Sequence, residues 1–120
     1  MCWPEDYRRE TERIIVEHAA RGEVVLGRGG ALVLRDRPGA LHVRLDGPQE
    51  GRIEQAMRLG GLERADADRM RRESDRAREA YVRHFYSADA RDPALYHLVI
   101  DSTAISLETV VELIVTAATR

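Results

Sequence analysis

Lysine is absent from this 120-residue chain, whose 19 basic residues are all arginine. Within these residues that excludes a lysine nucleophile, a Schiff-base lysine and a P-loop lysine. Arginine keeps its charge and offers a planar fork that matches phosphate. Cysteine occurs once, at Cys2, so no internal disulfide forms, and a reducing cytoplasm is the expected setting. No apolar run approaches about 18 residues, which leaves no candidate membrane-spanning helix. The opening MCWPEDYRRE lacks a basic n-region and an apolar h-region, so it does not read as a signal peptide. An excess of positive charge is missing too. The net charge of −2 argues against a general nucleic-acid binder.

What remains is globular in character: 43% hydrophobic, 33% charged, and long enough for one domain. Residues 4 to 21 read as a helix, with Pro4 in the first turn and Gly22 as the stop. Tyr7, Thr11, Ile14, Ile15 and His18 fall at helical spacing in it. VVLGRGGAL, residues 24 to 32, reads as an apolar strand over 23–27 that ends in an arginine hemmed by glycines. RDRPG at 35–39 is a turn, and LHVRL at 41–45 is a second strand. Asp46-Gly47-Pro48 opens a helix that runs to about Leu59, with Asp46 as its N-cap or as a site residue. Gly60-Gly61 closes it. A charge-rich helix follows over 63–86, a loop over 87–93, and a third strand, YHLVI, over 96–100. Ser106 caps a last helix, with Leu107, Val110, Val111, Leu113, Ile114 and Ala117 on its buried side.

Strands alternating with helices imply parallel pairing and right-handed crossovers. Ligands in such sheets bind beyond the carboxyl ends of the strands, so Arg28, Asp46 and Asp101 are expected on one rim. In the 63–86 helix, Arg71, Asp75 and Arg78 sit at i, i+4 and i+7, within about 60° of one another. They border an apolar edge of Met70, Tyr81, Val82 and Phe85. Asp68, Arg72, Arg76, Glu79 and Arg83 take the other side, where Asp68–Arg72 and Glu79–Arg83 pair as on a solvated face. His18, His42, His84 and His97 show no metal-ligand spacing and are expected to be structural.

Three segments carry a family resemblance: VVLGRGG, RRESDRARE and LVIDSTAISLETVVELI. LHVRLDGPQEGRI and FYSADARDPALY match in order and spacing between them. The chain resembles the C-terminal two-thirds of a nucleoside monophosphate kinase of the cytidylate kinase-like family. The resemblance implies an α/β, partial P-loop kinase-like fold: a small parallel sheet of about three strands, flanked by helices, with a lid-like segment at 63–93. It implies that Arg28 binds the phosphate of an acceptor such as CMP, and that Arg71, Asp75 and Arg78 contact the acceptor's sugar and phosphates. Arg71 and Arg78 take the catalytic role in this reading. Asp46 and Arg9 complete the substrate-binding set, either Arg8 or Arg9 matching the family's acceptor-binding arginine. Gly29 stands where the family often has a base-reading aspartate.

The full-length family uses ATP and Mg²⁺, held by a Gly-rich loop ending in Gly-Lys-Ser/Thr. That strand, loop and helix have no counterpart in these residues, so residues 1–120 are expected to be one kinase-like domain with the acceptor and lid side only. The family's P-loop strand lies between those matching 23–27 and 41–45, so a gap or a direct pairing is expected there. The partners implied are a CMP-like nucleoside monophosphate and, to complete the sheet, a missing N-terminal segment or a second copy of the chain. The alternative function is a non-catalytic nucleotide-binding or oligomerisation module descended from such a kinase.

Overall fold

The fold comes from a computed structural model that describes residues 5–27 and 29–119. Cys2, Pro4 and Arg28, all singled out above, lie outside them. Five helices and two strands follow in the order α1 (Glu5–Ala20), α2 (Gly30–Val33), β1 (Val43–Asp46), α3 (Gln49–Gly60), α4 (Arg64–Tyr86), β2 (Leu98–Asp101) and α5 (Leu107–Ala118). A single 3₁₀ turn, Pro93–Leu95, leads into β2.

The α/β class and the parallel pairing agree with expectation. β1 and β2 run parallel, with Val43 opposite Leu98 and Asp46 opposite Asp101. The helices α3 and α4 form the crossover between them, and Arg64 of α4 reaches Glu50 of α3 at 2.6 Å. Both strands therefore deliver an aspartate to the same sheet rim. The loops beyond are locked together by Thr103, whose side chain comes so close to Gly47 and Gly51 that a Cβ on either would sit 2.7 Å from it. Asp101 accepts from the Thr103 amide and hydroxyl, which holds its carboxyl below the usual range.

Two expectations need correction. Residues 23–27 form no strand among the described residues, Gly27 bends the chain with φ at 70°, and Val24 and Leu26 are 89% and 88% exposed. Among the described residues the sheet has two strands, and β1 takes β2 as its partner. Asp46 is not a helix cap either. It ends β1, and Pro48 stands at the α3 N-cap without a side-chain hydrogen bond.

The core is small and sits against α4. Leu32, Tyr81, Val82, Phe85 and Ala90 form its buried cluster, with Tyr86, Ala88 and Leu95 packed around it. Ser106 caps α5 as expected, its hydroxyl accepting from the Thr109 amide. Only Val110 of α5 is buried, however; Leu107, Val111 and Leu113 are exposed.

Candidate functional site

The crossover places one charged cluster beside the carboxyl end of β1. Its centre is Asp75 on α4. Arg52, projecting from α3, grips both Asp75 oxygens in a fork, Nη1 to Oδ2 at 2.8 Å and Nη2 to Oδ1 at 2.7 Å. Arg71 and Arg78 approach the same carboxylate more loosely, at 3.7 and 3.6 Å. Arg71 also donates to Asp68 at 2.8 Å, and Arg72 reaches Asp68 at 3.5 Å. Four arginines thus share two aspartates, an excess of two positive charges in that set.

The electrostatics follow from these distances. The hydrogen bond from Arg52 holds the Asp75 carboxyl below the usual carboxylate range, against the effect of burial. Conversely the bond to Asp75 raises Arg52, and Asp46 and Glu79 add to it through space. Asp46 therefore belongs to the field of this cluster, although its own contact is with Arg44 Nε at 3.5 Å. The structure gathers Arg71 and Arg78 around Asp75, with Asp46 in the field of the set, whereas the rim argument grouped Asp46 with Arg28 and Asp101. The clean division of α4 into a site face and a solvated face does not hold, because Asp68 bonds to residues of both sets.

A second feature lies at the other end of α4. A cleft of about 600 Å³ opens between α1, α2 and Tyr86, with Arg8, Arg9 and Arg13 among its lining and Val16, Leu32 and Val33 on its apolar side. Arg8 donates to Glu12 at 2.9 Å and Arg13 is held by Glu10 and Glu17. Arg9, the expected acceptor-side arginine, is exposed at this cleft, on a different element from Arg71 and Arg78. The Gly27–Gly30 turn borders the same place, because Gly29 abuts the Tyr86 ring.

Sequence reasoning missed Arg52, Glu12 and Tyr86. Arg52 bonds to a residue 23 positions on, and Glu12 and Tyr86 are 74 apart, so no local spacing announces either pair. His42 and His97 also found a structural arrangement that spacing could not foretell. Their rings stack at 5.1 Å, and the His42 amide donates to His97 Nδ1 at 2.9 Å. Burial, then the His97 charge, pushes the His42 imidazole below its usual range.

Comparisons with known proteins add a family to this geometry. The model of the cytidylate kinase-like family matches residues 1–104. A uronate isomerase of Corynebacterium glutamicum is 34% identical over 112 residues, which are 93% of this chain but 22% of that protein. The isomerase name belongs to that much longer protein. The crystal structure of an uncharacterized protein from Eubacterium ventriosum superposes over 96% of this chain and 66% of its own, with a TM-score of 0.83 at 19% identity. That likeness concerns the fold.

Proposed function

The chain belongs to the cytidylate kinase-like family, and we propose that it forms the acceptor and lid side of a nucleoside monophosphate kinase. The acceptor is a CMP-like nucleotide. The observation that carries the reading is the arginine cluster around Asp75 at the carboxyl end of β1. A phosphate monoester brings about two negative charges, and Arg71 and Arg78 are two cations of the cluster that stand outside the Arg52–Asp75 fork. Arg52 holds Asp75 tightly, while Arg71 and Arg78 are bound to it at longer range. Those two can turn N–H donors toward phosphate oxygens without breaking the fork that joins α3 to α4.

In this role Arg71 and Arg78 neutralise charge that spreads over the transferring group, the main task in phosphoryl transfer. Asp75 restrains the arginines and offers its remaining lone pairs to a sugar hydroxyl. The family resemblance assigns Arg28 to the acceptor phosphate as well, while Arg9 is exposed at the separate cleft beside Tyr86. The segment 63–93 acts as the lid, carrying its charges to the nucleotide on closure and excluding water.

ATP and Mg²⁺ do not fit these residues. The chain has no lysine and no Gly-x-x-x-x-Gly-Lys run to cradle donor phosphates. Val24 and Leu26, exposed on a run that joins no strand among the described residues, support the idea that further polypeptide completes the sheet and supplies the donor side. The second reading, a non-catalytic nucleotide-binding module, is favoured by the same missing lysine. A coupled ATP/CMP assay on the 120-residue chain, with mass and sedimentation checks for added polypeptide, tests the acceptor-side reading. Little or no turnover is expected. Turnover at ordinary kinase rates of roughly 1–100 per second by the lone chain would contradict it.

A further inference from the structure

Tyr86 is the last residue of α4, and Ser87 after it turns the chain away with φ at 51°. Its ring lies against Gly29. A Cβ on Gly29 would be 2.9 Å from Cε2 and 3.4 Å from Cδ2 of the ring, and Gly29 has φ at 69°. Both the space and the backbone conformation at that position call for glycine. The ring is fixed from two further directions. Its hydroxyl donates to Glu12 Oε1 at 2.8 Å, and the Arg8 guanidinium lies over the ring, 5.1 Å from its centroid. Arg8 Nε also donates to that same Glu12 oxygen, at 2.9 Å.

Three elements that are distant in sequence, α1, the glycine turn and the end of α4, therefore meet on one side chain. A phenylalanine could fill the space but could not reach Glu12 with a hydrogen bond. Burial and then that bond raise the Tyr86 hydroxyl, so it stays protonated and donates. Burial works against the Glu12 charge, yet the bonds from Arg8 and Tyr86 keep its carboxyl below the usual range. On a straight helix Tyr86 and Asp75, 11 residues apart, lie within about 20° of each other and about 16 Å along the axis. One face of a single rod thus carries the arginine cluster at one place and the support of the glycine turn at another.

We infer that Tyr86 is a positioning residue that fixes Gly29, and with it the start of α2, to the end of α4, so that a ligand gripped by the Asp75 cluster also sets the backbone at Gly29 beside the cleft. The inference rests on the acceptor-nucleotide reading for its purpose, but the coupling itself is a property of the ligand-free chain. α4 is one continuous helix from Arg64 to Tyr86, so a shift at Asp75 is carried to Tyr86, and the Glu12 bond keeps the ring from swinging away. The turn then follows the helix.

Amide hydrogen exchange on the full 120-residue chain tests this, read separately over Gly30–Leu34 and over Val43–Asp46. Tyr86→Phe keeps the ring and removes the bond to Glu12. It is expected to speed exchange in the turn about tenfold, with the exchange of β1 and the unfolding midpoint essentially unchanged. Gly29→Ala is expected to perturb the turn strongly in the wild-type background and less beside Tyr86→Ala, where the colliding ring is gone and only the strain of the positive φ remains. Unchanged turn exchange in Tyr86→Phe, or additive effects of Gly29→Ala and Tyr86→Ala, would overturn the inference. Calorimetry with CMP on the same proteins separates it from the functional reading. Wild-type chain that fails to bind CMP counts against that reading alone, since the exchange data decide the coupling without ligand.

Discussion

Asp75 is the residue on which the proposed chemistry turns, and its environment makes a pH prediction. Its carboxyl is held low chiefly by the Arg52 fork. The unfolded chain, with a carboxyl near about 3.9, takes up the proton first as pH falls. The stabilisation is therefore present above about pH 4 and is lost as pH drops through the lower folded value. The pair is part-buried, with 27% and 22% of the two side chains exposed, so it lies between a surface and a fully buried bridge. Arg52→Ala is expected to lower the unfolding free energy by about 1–2 kcal/mol at pH 7. That difference should shrink at a pH low enough to protonate Asp75 in both proteins. Denaturant titrations at the two pH values check it; an equal loss at both would show that Arg52 contributes packing rather than charge.

At the scale of elements, the helices were the most legible part of the sequence. Gly22, Gly61 and Ser106 punctuate α1, α3 and α5 where expected, because capping and glycine stops are local chemistry. The 23–27 run shows what local pattern cannot tell. Its composition suits a buried strand, but a strand is defined by a neighbour, and β1 is paired with β2. The buried face of α5 was over-read for the same reason: an apolar helix does not reveal which of its sides meets a partner. A prediction follows for the unpaired run. Val24→Thr with Leu26→Thr should change the unfolding free energy of this chain by less than about 0.5 kcal/mol. Similar losses of apolar volume in a packed strand would cost about 2–5 kcal/mol. A cost in that higher range, measured by urea unfolding, would mean that the run is buried in solution.

For the whole molecule, surface area tells the same story. The accessible surface is 8458 Å², whereas a folded monomer of this mass exposes about 6,600 Å². Exposed Val24, Leu26, Leu45, Val99, Val111 and Val115 are among the residues that bear the excess. The family was legible from ordered segments spread over the chain, and the site cluster partly so. Arg71, Asp75 and Arg78 share a helix face that spacing alone defines. The Arg52 fork and the Tyr86 contact depend on how α1, α3 and α4 pack, which no single stretch records.

The central claim is that these residues bind the acceptor nucleotide and lack a donor site. Paired calorimetric titrations with CMP and with ATP, on wild-type chain and on Arg28→Ala, test it most directly. The account predicts that CMP binds the wild type, that ATP binds much more weakly, and that Arg28→Ala weakens CMP by about tenfold to a hundredfold while leaving ATP nearly unaltered. ATP binding as tightly as CMP, with both lost equally in Arg28→Ala, would contradict it.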